Sequence, residues 1–211
     1  MAYDLEEQEQ LAAIKAWWSQ YGRLAIVVVV AAVLTVGIVR GWHYYRTSQA
    51  TAAVVLFEQM QRAERASDHK KVRDIAGQII DSYGSTPYAV LAALSAAKSA
   101  FDTGDLAAAR TRLQWVIDNA REEEARDVAR LRLARILFDE KDLTGSFNLL
   151  EAKHGDSFTG LYAGLKGDVL SAQGKKQEAR SAYQLALEKS DAASPLRQIT
   201  QLKLDALGEV K

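Results

Sequence analysis

Residues 24–39 carry no charge, and Thr35 is the only hydroxyl among them. As an α-helix this run is roughly 24 Å long, at about 1.5 Å per residue, against a bilayer core of about 30 Å. The flanks extend it. Trp17, Trp18 and Tyr21 precede the run, and Trp42, Tyr44 and Tyr45 follow it, which places an aromatic belt at each water interface. Arg23 and Arg40 stand where long cationic side chains reach back to the headgroups. A core helix of a soluble protein needs no such double belt. The pattern predicts one transmembrane helix over 22–44.

A cleaved signal peptide fits less well. The preceding segment is acidic (Asp4, Glu6, Glu7, Glu9), and the bulky Trp42, Tyr44 and Tyr45 follow where small residues would permit cleavage. Charge does not orient the span, because Lys15 and Arg23 on one side face Arg40 and Arg46 on the other. Before the span, Leu11, Ile14, Trp18 and Tyr21 form an apolar stripe at helical spacing, as in a helix that lies in the headgroups or docks on a partner.

The chain has 211 residues, a formal charge of zero and no cysteine. That neutral balance argues against nucleic acid, which needs a basic face. Without cysteine there is no disulfide framework and no thiol chemistry. Prolines occur only at positions 87 and 195, and Ala, Leu, Arg, Glu and Gln are abundant, so the chain reads as all-α.

Beyond the anchor, breaks in the helical pattern recur. Residues 103–106 read Thr-Gly-Asp-Leu, 140–143 Glu-Lys-Asp-Leu and 173–176 Gln-Gly-Lys-Lys. The equivalent positions Gly104, Lys141 and Gly174 lie 37 and 33 residues apart, the period of a helical-hairpin repeat with about a dozen residues or more per helix. Small residues follow each break in one register: Ala109, Ser146 and Ala179. They let neighbouring helices approach closely.

The pattern resembles the tetratricopeptide repeat, whose eighth, twentieth and twenty-seventh positions are small. Those are Gly167, Ala179 and Ala186 in the last unit, Ala97, Ala109 and Val116 in the unit from Val90, and Ala134, Ser146 and Lys153 in the unit from Asp127. A weaker unit over 53–84 would turn at Ser67, with Met60 and Val72 at small positions. Ser194 and Pro195 open a final helix whose Leu196, Ile199, Leu202, Leu204 and Leu207 can cap the stack, with Gly208 past its end. The organisation is therefore an N-terminal segment (1–21), an anchor (22–44) and a hairpin solenoid with a C-terminal capping helix (45–211).

No enzyme signature is present. His43, His69 and His154 have no second ligand at helical spacing, and neither a phosphate loop nor a nucleophile elbow occurs, so the sequence calls for no metal, cofactor or small-molecule substrate. Gly37 and Gly41 have the spacing of a helix-packing pair, read as coincidence beside Arg40 or else as a homo-oligomer contact. Gly160 and Gly164 read as close packing within the stack.

In tetratricopeptide proteins the first helix of each hairpin lines a concave groove, mainly through its second, fifth, ninth and twelfth positions. These are Leu91, Leu94, Lys98 and Phe101 in one unit, and Val128, Leu131, Arg135 and Phe138 in the next. Spacings of three and four put each set on one helix face, a candidate groove for a peptide segment. The leucines also read as ordinary helix packing.

The order of features over the whole length resembles the YfgM family, ancillary subunits of the bacterial SecYEG translocon. The resemblance rests on residues 6–22, the anchor ending at 41–45, the repeat at 173–183 and the ending at 195–205. It implies a single-pass inner-membrane protein with a cytoplasmic N-terminus and a periplasmic repeat domain. It also implies partners in SecYEG and in a PpiD-type periplasmic chaperone, and a role in assisting exported proteins. It supplies no catalytic residue. The other reading is a membrane-tethered repeat adaptor for a different envelope complex, since one fold serves both roles.

Overall fold

The computed structural model describes residues 2–191 and 194–208. The side chains of residues 2–9 and of Ala13, Ile14, Ala25 and Val29 lie outside the described set, so Ile14 of the apolar stripe and Asp4, Glu6, Glu7 and Glu9 are placed by backbone alone. Nine α-helices are described: α1 (Ala2–Arg65), α2 (His69–Tyr83), α3 (Pro87–Asp102), α4 (Leu106–Asn119), α5 (Glu123–Asp139), α6 (Leu143–Leu150), α7 (Thr159–Ala172), α8 (Lys176–Lys189) and α9 (Pro195–Ala206). A short 3-10 turn, Asp156–Phe158, precedes α7. No strand is present among the described residues. The chain divides into two compact units, Met1–Gln49 and Ala50–Lys211.

In the first unit, the segment before the membrane, the apolar run and its aromatic flanks lie on α1 without interruption. Among the described residues, one helix is long and apolar enough to cross a membrane, with a mean hydropathy of 2.0 in its best window and none of that window buried. Trp17, Trp18, Tyr21, Trp42, Tyr44 and Tyr45 are all exposed. The Thr35 hydroxyl donates to the Ala31 carbonyl one turn back, so it brings no unpaired donor into the run.

The second unit is built from hairpins: the last turns of α1 with α2, then α3 with α4, α5 with α6, and α7 with α8. Its core is a series of clusters, each shared by three or four consecutive helices. Met60, Val72, Ile75, Ile79 and Ala92 join α1, α2 and α3. Val90, Ala97, Leu113, Val116 and Leu133 join α3, α4 and α5. Ala134, Leu150, Tyr162 and Val169 join α5, α6 and α7. Leu170, Ala179 and Tyr183 join α7 and α8, with Leu204 and Leu207 of α9 packed against them. Such nearest-neighbour burial is how a hairpin array is stabilised.

Local chemistry sets the period. Ser67, Gly104, Lys141 and Gly174 all take positive φ, at 55°, 78°, 69° and 79°. In each turn this left-handed residue donates its N–H three residues back, and the next residue donates five back: Gly104 to Phe101 and Asp105 to Ala100, Lys141 to Phe138 and Asp142 to Leu137. The pair of bonds is a Schellman closure, which satisfies carbonyls that a helix end leaves open. Asp68, Asp105 and Asp142 then cap the following helices by accepting from the N–H of Lys71, Ala108 and Gly145. The turn at Ser67 belongs to the same series as the other three.

The small residues sit where helices touch. Ala97, Ala109, Ala134, Ser146, Gly167, Ala179 and Ala186 are buried, and Val116, Met60 and Val72 are accommodated at the equivalent positions. Gly160 and Gly164 lie close to α8, where an added Cβ would stand 3.0 Å from Ser190 Oγ and 3.8 Å from Ala186 Cβ respectively.

Two expectations change. The third hairpin lacks a full-length second helix, because α6 has only eight residues. The chain leaves the helix at Glu151 and Lys153 lies in the following loop. The loop instead brings the Gly155 N–H to the buried carboxylate of Asp127 at 2.9 Å and stacks His154 on Tyr162 at 4.2 Å between centroids. The second change concerns α9. Leu204 and Leu207 cover the last hairpin, but Leu196, Ile199 and Leu202 remain exposed, and among the described residues no side chain of α9 is buried.

Candidate partner-binding groove

The first helices of successive hairpins, α3, α5 and α7, carry two neighbouring cavities. One, of about 380 Å³, is lined by Ala97, Lys98, Phe101 and Asp102 of α3, Leu113 of α4, and Arg132, Arg135 and Ile136 of α5. The other, of about 260 Å³, has Leu131, Arg132 and Arg135 of α5 on one wall. Leu161, Leu165 and Asp168 of α7 and Leu196, Ile199 and Lys203 of α9 complete it. Arg132 and Arg135 belong to both.

Of the residues expected on the groove face, Lys98, Phe101 and Arg135 share the first cavity, and Leu131 and Arg135 line the second. Phe101 is 46% exposed, an unusual position for so large an apolar ring. Leu91 is also 46% exposed on α3 but lies outside both cavities. Leu94 packs against the core shared by α3, α4 and α5. Val128 is half-buried and outside both cavities. The two phenylalanines are not equivalent. Phe138 packs against the next cluster, with the Arg135 guanidinium 5.7 Å and the Lys141 ammonium 5.8 Å from its ring centroid. That geometry makes it a platform for cations rather than open surface.

The charges on this face are mostly paired. Lys98 binds Asp102 one turn along α3. Arg135 approaches Asp139 at 3.3 Å and Asp168 at 3.7 Å. Lys203 of α9 donates to both oxygens of Asp168 at 2.7 Å, and the Tyr183 hydroxyl donates to Asp168 Oδ1 at 2.8 Å. Burial first, and the Asp168 carboxylate second, push the Tyr183 hydroxyl well above the ordinary tyrosine range, so it stays a donor. Arg132 is exposed and makes no ion pair or hydrogen bond among the described residues.

Sequence spacing did not identify Arg132, Leu161, Asp168, Leu196, Ile199 or Lys203 as lining residues. Arg132 lies four residues after Val128 and three before Arg135, and so was within reach of the face argument. Asp168 and Lys203 meet across 35 residues, a pairing that no local period reveals.

A third opening, of about 620 Å³, lies beside the shortened α6, lined by Phe147, His154, Tyr162, Lys166 and Leu185 among others. Its floor is structural. Asp127, 1% exposed, accepts from Arg130 at 2.9 Å and from the Gly155 N–H, while the Tyr162 hydroxyl donates to the Asp127 carbonyl at 2.9 Å. Burial, with Asp127 nearby, pushes the Tyr162 hydroxyl up to about 12. Among the described residues, no three His, Cys, Asp or Glu side chains gather as metal ligands would.

Comparison with known proteins accords with this geometry. A family model described as a tetratricopeptide repeat-like domain matches residues 15–209. The ancillary SecYEG translocon subunit of Neisseria gonorrhoeae is 31% identical over 211 residues, covering 98% of this chain and all of that protein. The subunit of the same name from Haemophilus influenzae is 29% identical over 210 residues, again 98% of this chain and all of the relative. The Escherichia coli K12 subunit is 29% identical over 202 residues, 95% of this chain and 96% of its own length. The repeat-like domain and the near full-length matches agree: the chain belongs to the YfgM family of ancillary SecYEG translocon subunits, with a tetratricopeptide repeat-like domain.

Proposed function

We propose that this chain is a membrane-anchored interaction scaffold of the Sec translocon, which recruits or assists a periplasmic chaperone acting on exported proteins. In this reading α1 spans the inner membrane over 22–44, the N-terminal segment is cytoplasmic, and the repeat domain faces the periplasm. The groove of α3, α5 and α7 holds the partner. The observation that carries the reading is the full-length match to translocon subunits, which takes in the apolar span and the repeats together. The exposed Phe101 beside Lys98 and Arg135 supports a protein-binding face, because an open apolar ring rimmed by charge favours a polypeptide. The role requires no catalytic step.

Co-purification from gently solubilised membranes tests the proposal. Translocon subunits and a PpiD-type chaperone are expected as the dominant partners. Their absence beside another stoichiometric envelope complex would replace it with the adaptor reading. Topology is tested separately by adding protease to spheroplasts: the repeat domain is digested if it is periplasmic and protected until lysis if it is cytosolic.

A further inference from the structure

Resting on that reading of the groove, we infer that its occupant is a polypeptide segment in which apolar side chains flank one internal carboxylate, with Arg132 as its counter-ion. Both cavities are walled by apolar groups: Phe101, Leu113 and Ile136 on one side, Leu131, Leu161 and Leu165 on the other. Arg132 stands between them, in the lining of each. A chain crossing from one cavity to the other therefore meets apolar surface, then a guanidinium, then apolar surface again.

The charge pattern selects the sign. Lys98 is matched by Asp102, and Arg135 and Lys203 converge on Asp168, so these cations have carboxylates of their own. Arg132 has none among the described residues. An incoming carboxylate completes the set without breaking an existing pair, and a guanidinium takes it through two parallel N–H donors. A neutral segment leaves the guanidinium bordered by apolar contacts and partly stripped of water. A basic segment adds a fifth cation to the four already there.

The test uses the full-length protein in detergent micelles and short fluorescent peptides with leucine and phenylalanine flanking a central Glu, Gln or Lys. The Glu peptide is expected to bind about tenfold more tightly than the Gln peptide, a difference of about 1.4 kcal/mol, and the Lys peptide most weakly. Arg132→Gln should remove the preference for Glu while leaving the Gln peptide's affinity unchanged. Arg112→Gln, a half-buried arginine of α4 outside both cavities, should leave the preference intact. Equal binding of Glu and Gln peptides, weakened alike by Phe101→Ala, would overturn the acidic selection and keep the groove. A preference that survives Arg132→Gln would also overturn it. Failure of every peptide to bind would remove the groove reading as well. Arg132 has no partner to lose, so the variant should melt with the parent, which a thermal scan checks.

Discussion

Tyr183 lies flat against Gly167: a Cβ added to the glycine would stand 2.4 Å from the ring's Cε1 and 2.5 Å from Cδ1. The same ring sends its hydroxyl to Asp168, the residue that ties α9 to the groove through Lys203. One glycine thus sets how closely α8 approaches α7 and, through Asp168, where the wall of the second cavity stands.

Gly167→Ala should therefore destabilise the repeat domain by about 2 kcal/mol, since overpacking of a filled site costs about 1–3. That loss should appear despite alanine's better helix propensity, worth about 1 kcal/mol. Urea melts followed by circular dichroism measure it. Combining the change with Tyr183→Leu should recover part of the loss, and strict additivity of the two would count against a direct clash.

The four left-handed turns share one pair of backbone bonds and differ in the residue that takes positive φ. Lys141 adopts a conformation that costs an L-residue about 1–2 kcal/mol and glycine almost nothing. Lys141→Gly should raise stability by up to about 1 kcal/mol, and Gly104→Ala or Gly174→Ala should lower it by about the same. The opposite signs at equivalent positions are the test. A destabilised Lys141→Gly would mean that the cation over Phe138 outweighs the backbone term.

Tyr162 makes stability sensitive to alkali. Its hydroxyl is raised from 10.0 to about 12 in the folded protein by burial and by Asp127. Between those values the unfolded chain has released the proton and the native one has not, so stability falls as pH rises. The contribution is complete below about pH 10 and is lost through about pH 12. Urea midpoints should drop over that window in the parent, and by less in Tyr162→Phe. That variant should be weaker by about 1 kcal/mol at neutral pH because the Asp127 carbonyl loses its donor.

Groove variants are best chosen from the observed pairings. Arg135→Glu would set a third carboxylate beside Asp139 and Asp168, mixing a packing effect with a binding one. Lys98→Gln with Phe101→Ala sets no new carboxylate beside Asp102, and both side chains are exposed at the first cavity. Partner recovery from membranes should fall about tenfold, as for loss of an interface anchor, while the melting temperature stays near the parent. Unchanged recovery would place the partner on another face or on α1.

Helical periodicity made the array legible because its signals are local. The period appears in Gly104, Lys141 and Gly174, and the tight register in Ala109, Ser146 and Ala179. The short α6 was not legible in this way. The loop that follows it is held by the Gly155 N–H on Asp127, 28 residues away in sequence, and such a contact is tertiary. The groove was legible by half. A face argument on α3 and α5 places Lys98, Phe101, Leu131 and Arg135 at the cavities, but the far wall is made by α7 and α9. Whether a given Phe is open or covered depends on that wall, which is why Phe101 and Phe138, alike in register, have different surroundings.

The repeated turns also bear on how such a chain changes over generations. Each closes through bonds within six consecutive residues and hands the next helix an identical start at Asp105 and Asp142. The positions just after Gly104 and Lys141 are therefore interchangeable seams. A segment cut at both, 105–141, leaves behind a left-handed residue followed by a capping aspartate, the same junction it removed. Whole hairpins can be duplicated, lost or traded at such seams with the local backbone unchanged, so the length of the groove is free to vary while its grammar stays fixed.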